Sequence, residues 1–526
     1  MHALGLVLVL ALVMGATSAS AAPWSFGVMS DTQWTVPDDG KNPNTVAVGI
    51  IDQINTQFIK AGVDFVVQVG DLTDKGNQQA TDIDTRAAAA QALYNAGIGF
   101  YPLRGNHEDS QAAALQFQTD FPQTRDNGVH VFGASDFSSP SINLYGLSYA
   151  FQYENARFVL LDQFTRTDGQ GGGSANVNNS NIADQQGWIS SVLADKPVDG
   201  HAFAFGHKNL IGENHVDVLL GGDPSQNAAA QNAFITSLHA NGVRYYLSGH
   251  DHIHQRSIIT SPDGSAAVQE IIGASNSSKF YIPAIPSNDN KYNNPPRETS
   301  VSQEVNTVGY YIYTVDGPRV TVDYYSAVVN PTLDSGEYLI YATPTLQFTK
   351  RETFGYSLNG KEFLVAQGQP YTNIQDSFAG TTARILSGMN SSTAMDGSNR
   401  PLTKAVDTGW SARTRDTASN IFSLWGMASN LGSSQADVYT LSMKYDPTKV
   451  PWWQRFSSLI LATKDANGHW INAVDKNLGG TKKLVLGPWR AGYKLGTYGI
   501  DQRTNTAWAV VNHAGDFALA WPVEGR

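Results

Sequence analysis

Seven side chains in five short blocks could together hold metal ions. They are Asp31 and Gln33 in Ser30-Asp31-Thr32-Gln33, Asp71 in Gly70-Asp71 (with Asp74 three residues on), Asn106 in Gly105-Asn106-His107-Glu108, His207 after Gly206, and His250 and His252 in Gly249-His250-Asp251-His252. Two carboxylates, two amides and three imidazoles make a set of nitrogen and oxygen donors suited to divalent cations. Taken singly each is weak, because an Asp after a strand is usually a turn residue or helix cap and a lone His is usually structural. Order, spacing and placement together change that reading.

Each block directly follows an apolar run that reads as a strand, at 24–29 (WSFGVM), 64–69 (DFVVQV), 98–103, 201–205 and 243–247. Between them, apolar residues recur at helical spacing over 44–60, in an Ala-rich stretch around 85–95 closed by Gly97, over 184–194, and over 230–240, stopped by Gly242. A further strand reads at 157–161. Strands alternating with helices predict a layered α/β domain, with the five blocks emerging along one rim of a sheet, where open α/β folds bind ligands. The glycines at most of the blocks would let the backbone turn there. Two polar stretches, 162–186 with Gly171-Gly172-Gly173 and 283–304, read as long surface loops that either shape access to the rim or merely decorate it.

Beyond about residue 345 helical spacing fades. Period-2 runs appear at 439–445, 483–486 and 507–511, the last predicted to pair with 517–520 across His513-Ala514-Gly515-Asp516. Eight of the 11 Trp lie in this part. Core packing accounts for them better than sugar stacking, since a β-sandwich needs bulky inward residues. No internal repeat of fixed period is present.

The chain has 526 residues, which fits two domains plus a targeting segment: a signal peptide at 1–21, a catalytic domain at 22–335 and a β-rich domain at 336–526. The apolar run 6–14 followed by Ala19-Ser20-Ala21 has the form of a secretory signal peptide. Read instead as an anchor, it is shorter than the ~20 apolar residues that span a bilayer. Net charge is −11, with no Lys/Arg block interleaved with aromatics, which argues against a duplex nucleic acid partner. There are no cysteines, so thiolate metal sites and cysteine nucleophiles are excluded. The expected location is secreted or periplasmic.

The blocks resemble the calcineurin-like metallophosphoesterase superfamily, which includes purple acid phosphatases and many phosphodiesterases. Its pattern, D-x-H, G-D-x-x-D, G-N-H-[DE], a later H and G-H-x-H, is matched in part at Asp31-Thr32-Gln33 and in full at the other four blocks, over roughly 24–327. The resemblance implies a four-layer α/β/β/α sandwich and two divalent metal ions. Asp31, Gln33, Asp71 and His252 would hold one; Asp71, Asn106, His207 and His250 would hold the other, with Asp71 shared. It also implies that His107 is a catalytic non-ligand oriented by Asp74, which otherwise reads as a helix N-cap. Gln33 departs from the family's histidine. Its amide oxygen is a harder, weaker donor, favouring Mn²⁺ or Fe over Zn²⁺, with Mn²⁺ preferred. Asp74 stands where purple phosphatases carry a ligating Tyr, so no purple Fe(III) chromophore is expected. Lys75, Lys208, His215 and His254 are nearby candidates that read better as solvated rim residues than as substrate contacts.

The function implied is an exported dinuclear-metal phosphoesterase acting on small phosphate mono- or diesters, by attack of a hydroxide held between the metals. The competing reading is an envelope- or glycan-binding protein with an idle catalytic domain, for which Gln33 is the one supporting feature. Monoester versus diester and oligomeric state are not legible in the sequence.

Overall fold

The computed structural model describes residues 22–125, 128–169, 181–220, 227–284, 297–365, 373–376, 380–388, 395–427, 437–450 and 459–521. The segment read as a signal peptide and parts of both long loops lie outside the described residues. Among those described, no helix is long and apolar enough to cross a membrane.

Two sheets face one another in the first part of the chain. One has six strands in the order Thr349–Ser357, Arg319–Val328, Thr307–Asp316, Trp24–Met29, Phe65–Val69, Gly99–Leu103. The other has eight, in the order Glu298–Glu304, His254–Thr260, Ala267–Ile272, Tyr245–Ser248, His201–Gly206, Ala156–Leu161, Tyr149–Tyr153, Ser135–Ser138. Within each sheet the strands that feed the five blocks run parallel, so their carboxyl ends reach the same rim.

The strands that feed the blocks are largely apolar on both faces because both faces are covered. Phe26, Phe65, Phe158, Phe203 and Tyr313 fill the space between the sheets, with Phe26 stacked on Phe65 at 5.4 Å and on Tyr313 at 4.7 Å between centroids. The helix Val48–Ala61, ended by Gly62 in the left-handed conformation (φ 67°), buries Ile50, Ile51, Ile54 and Phe58 on the outer face of the six-stranded sheet. Helices Asn181–Ala194 and Ala228–Ala240 cover the eight-stranded sheet. This is the expected four-layer α/β/β/α arrangement. The helix read around 85–95 is two short ones, Asp82–Ala89 and Gln91–Asn95.

The six-stranded sheet takes its edge strand, Thr349–Ser357, from beyond residue 335, so its layers draw on both sides of the expected 335/336 boundary. Thr332–Asp334 and Glu337–Leu339 form a small sheet with Lys279–Phe280, and beyond Ser357 the described residues form two further six-stranded sheets around a separate core that includes Trp410, Phe422, Leu441 and Phe517. Trp410, Trp425, Trp470 and Trp508 are buried, in line with packing; Trp452 and Trp453 lie outside the described residues. The hairpin predicted for 507–511 and 517–520 does not form. Thr506–Val511 pairs with Val438–Lys444 and Thr497–Asp501, whereas Gly515–Ala520 pairs with Ile421–Trp425 and Ile460–Lys464 in the opposite sheet. The intervening residues cross between the sheets, so that Ala507, Ala509 and Val511 meet Phe517 and Leu519 in the core the two sheets share.

The two parts are joined by partly buried polar contacts. Arg244 pairs with Glu362 and, at 2.5 Å, with Asp407; the Trp425 indole donates to Thr321 Oγ1 at 3.1 Å.

Candidate metal centre

Four of the seven candidate ligands are non-glycine residues in the left-handed region: Asp31 (φ 44°), Asp71 (φ 43°), His250 (φ 69°) and His252 (φ 51°). Such backbone costs of order 1–3 kcal/mol each and persists only where the surroundings over-determine it, commonly at functional sites. Here the loops hold each other. Asp31 and Thr32 donate from the backbone to Gly70 O and Asp71 O at 3.3 and 2.7 Å, Gly249 N donates to His207 O at 2.9 Å, and His250 N donates to Asp31 Oδ1 at 3.0 Å. The motif glycines serve chiefly close approach rather than turning. A Cβ on Gly105 would lie 1.9 Å from Asp71 Oδ1, and one on Gly249 would lie 2.2 Å from Ser30 Oγ.

The candidate ligands converge in two buried groups, Asp71 with His207 and His250, and Asp31 with Asp71 and His252; within each group the donor atoms lie within 4.8 Å of one another. Asp71 belongs to both. Asn106 Oδ1 is 2.9 Å from His207 Nε2, which places its amide at the first group. The Gln33 amide nitrogen lies 3.0 Å from Asp71 Oδ2 and 3.2 Å from His252 Nε2, at the second, while its Oε1 is buried without a partner. A hydrogen-bond donor thus occupies the space between two acceptors that a cation would satisfy. An orphaned amide oxygen on the same group is the donor such a cation would take up. The set fits two divalent ions.

The outward ring nitrogens are fixed as metal-binding imidazoles require. His207 Nδ1 faces Val69 O at 3.0 Å and His252 Nδ1 faces Lys279 O at 2.8 Å, leaving Nε2 of each directed inward. His250 is turned the other way: its Nε2 meets Asp217 Oδ1 at 3.1 Å, leaving Nδ1 for the centre. Asp217, also paired with Lys208, is a contributor that the sequence reading missed. So is Asp251. Its buried carboxylate accepts the backbone N–H groups of Glu213, Asn214 and His215 at 2.5, 3.2 and 3.1 Å, pinning the loop that carries Asp217. Glu108 does the same between two other blocks, accepting from Thr73 N at 2.9 Å and Gly105 N at 3.1 Å.

Without cations the centre is electrostatically strained. Burial, with Asp71 adding, pushes Asp31 up to about 7. Burial opposes charge on Asp71 too, but His207 and His107 beside it hold its carboxyl well below the ordinary range. Burial would lower His207, yet the Asp71 charge carries it up to about 9. His250 and His252 are driven down by burial to about 4 and 3, so they stand neutral with a lone pair available. Metal uptake must therefore expel protons from His207 and Asp31. Calorimetric titration of the metal-free protein with Mn²⁺ at pH 7, in buffers of different ionisation enthalpy, should show net release of at least one proton per chain. Both groups have folded pKa values above their unfolded ones. Their stabilising contribution is full below the unfolded values and is lost as pH rises through about 7 for Asp31 and about 9 for His207. Thermal stability of the metal-free protein should fall from pH 6 to 9, while that of the Mn²⁺-loaded protein holds. Proton-neutral uptake would contradict this description.

His107 lies at the rim with its side chain about one-third exposed, its Nε2 3.9 Å from Asp71 Oδ2. Its Nδ1 bonds the backbone carbonyl of Asp74 at 2.6 Å, and the Asp74 carboxylate stands back at 3.5 Å. The contact of Asp74 with His107 therefore runs first through the Asp74 main chain. Burial would lower His107, but Asp71 and the Asp74 carbonyl raise it, favouring imidazolium.

Of the four nearby candidates, Lys75 is exposed and Lys208 is buried against Asp217. His254 is buried between Tyr311 OH at 2.7 Å and Glu352 at 3.3 Å, a core role. His215 is closer to the centre than a solvated reading allows. Its Nδ1 is 2.6 Å from Asp251 and its ring 4.0 Å from that of His250, with Tyr281 across it at 4.9 Å.

A comparison with curated proteins returned no match. Among solved structures, a dimetal phosphatase from Danio rerio shares 16% identity at TM-score 0.34, covering 57% of this chain and 95% of its own. A purple acid phosphatase from yellow lupin (Lupinus luteus) seeds shares 14% at 0.39, covering 58% and 51%. GAP50, the anchor in the inner membrane complex of Plasmodium, shares 14% at 0.34, covering 58% and 84%. The segment that builds the rim, residues 25–254, matches the family model described as calcineurin-like phosphoesterase.

Proposed function

We propose that the protein is an exported phosphoesterase that hydrolyses small phosphate mono- or diesters with two divalent metal ions. The observation that carries this reading is Asp71, shared by two buried donor groups whose other members come from separate strand ends. Asp31, Gln33, Asp71 and His252 would hold one ion, and Asp71, Asn106, His207 and His250 the other. With Asp31 and Asp71 as the only anionic ligands, two divalent ions keep an excess of positive charge that suits a phosphate oxygen. When bound, such a pair activates water for in-line attack and neutralises charge on the phosphoryl group.

The chain's own side chains then bind, orient and move protons. Val69 O, Lys279 O and Asp217 hold the three imidazoles in register. His107, whose protonated form Asp71 and the Asp74 carbonyl favour against burial, can donate a proton to the departing alkoxide or a hydrogen bond to a phosphoryl oxygen. No side chain needs to take the phosphoryl group covalently. Gln33, the feature that favoured an idle binding protein, stands within 3.2 Å of His252 and 3.0 Å of Asp71, which supports its service as a ligand. Its neutral oxygen leaves Mn²⁺ the favoured ion.

Hydrolysis of p-nitrophenyl phosphate and bis-p-nitrophenyl phosphate with added Mn²⁺ tests this, and their ratio separates monoesterase from diesterase. His107→Ala should lower kcat by about 10²–10³-fold while two metals stay bound. Activity that survives both His107→Ala and Asn106→Ala would defeat the assignment.

A further inference from the structure

Residues 476–500 carry five cations, Lys476, Lys482, Lys483, Arg490 and Lys494, and no acid, in a chain whose net charge is −11. They surround the strand Lys483–Leu486, which is the last strand of its six-stranded sheet and, among the described residues, pairs only with Thr497–Asp501. Leu484 and Leu486 project from one face of that edge strand and are 55% and 71% exposed, and Leu478, just before it, is 70% exposed. The loop that follows is held in place, with the Trp508 indole donating to Gly487 O at 2.9 Å and Tyr493 stacked on Trp508 at 5.3 Å. Trp489 carries the Arg384 guanidinium over its ring at 4.6 Å, adding a sixth cation to this margin. The acids at its borders are Asp475, 2.7 Å from Lys482, Asp465 and Asp516, whose charges act on Lys476, and Asp501 at the end of the neighbouring strand.

Lysine on an edge strand commonly deters strand pairing, which would account for Lys483 but not for outward leucines next to it. A second copy docking face to face would bring like charges together. A soluble polyanion would use the cations and leave the leucines in water. Exposed leucines flanked by cations are the chemistry of an anionic lipid surface, with apolar side chains entering the headgroup boundary and Lys/Arg pairing with phosphates.

We propose that this margin of the C-terminal sandwich docks the protein on anionic phospholipid membranes.

Sedimentation of the whole protein with vesicles of 30 mol% phosphatidylglycerol in phosphatidylcholine, and with pure phosphatidylcholine, provides the test. Binding should be confined to the anionic vesicles and weaken with salt. A cation near an anionic surface strengthens partitioning by roughly five-fold, so Lys482→Glu/Lys483→Glu/Lys494→Glu should weaken it by more than about 50-fold. Leu484→Ser/Leu486→Ser, which keeps every charge, should weaken it by about ten-fold or more. Three results would overturn the proposal: no binding to the anionic vesicles, binding indifferent to the leucine changes (a polyanion site), or a dimer in light scattering that the leucine changes dissolve. Hydrolysis of p-nitrophenyl phosphate should be unchanged in both variants, so failure here is distinguishable from failure of the catalytic reading.

Discussion

Asp71→Ala is expected to abolish hydrolysis, by at least about 10⁴-fold in kcat/KM, and to take bound metal from two ions per chain to fewer than one. The size of the effect follows from how many groups converge on this carboxylate. Its Oδ1 accepts from His107 N at 3.1 Å and lies 3.3 Å from His207 Nε2, and its Oδ2 accepts from the Gln33 amide at 3.0 Å. In the proposed assignment it is also the one side chain both ions touch. Its removal would leave each site short of an anion and the two cations unscreened from one another. Burial would then drive His207 toward the neutral form, since the charge that lifts it to about 9 is mainly that of Asp71. Elemental analysis of dialysed protein alongside kinetics checks this. Asp71→Asn, which keeps the shape, separates loss of charge from loss of packing. A variant that keeps two ions would rule out a shared carboxylate.

The five blocks were legible because each places donors directly after a strand, and parallel strands deliver their ends to one rim. The four-layer arrangement followed from the same alternation together with the family resemblance. Backbone strain was not legible: nothing in the sequence marks Asp31, Asp71, His250 and His252 as left-handed. The motif glycines misled in a small way, since Gly105 and Gly249 admit a neighbouring carboxylate and hydroxyl rather than make a turn. Asp217 and Asp251 escaped because their partners are remote in sequence. Asp217 meets His250 from 33 residues away, and Asp251 reaches back 38 residues to Glu213 N. Asp217 lies in no motif, and an Asp in a polar loop has no periodicity to betray it; Asp251 lies inside the Gly249–His252 block, at its variable position, where the pattern assigns no role. The predicted hairpin failed for a related reason: alternation shows which runs are strands but not which sheet each joins.

The contact that ties the C-terminal part to this loop carries the second large effect. Arg400, with its side chain 9% exposed, pairs with Glu213 at 2.5 Å, with Asp396 at 2.8 Å and with Glu298, all three carboxylates being almost wholly buried. Burial and the neighbouring Glu298 push Glu213 well above the ordinary carboxylate range even with the guanidinium present. Glu213 is also the residue whose backbone N–H reaches Asp251, between His250 and His252. Arg400→Met would leave three buried acids without a counter-charge, and breaking a buried pair in this way costs about 3–5 kcal/mol. Chemical denaturation should show a loss of that order at pH 7.5. Because Glu213 titrates above its unfolded value, its share of the penalty arises on ionisation, so the deficit should shrink as pH falls toward 5. Arg400→Lys keeps the charge but cannot fork to three partners, and should recover only part of the stability. Strain passed along Glu213 to the 213–217 loop should also lower kcat/KM by about ten- to 100-fold, since displacements near 1 Å at a catalytic site cost that much. A double-mutant cycle with Glu213→Gln apportions the effect. Coupling near zero between the two positions would mean that the C-terminal part merely sits beside the catalytic loop and does not hold it.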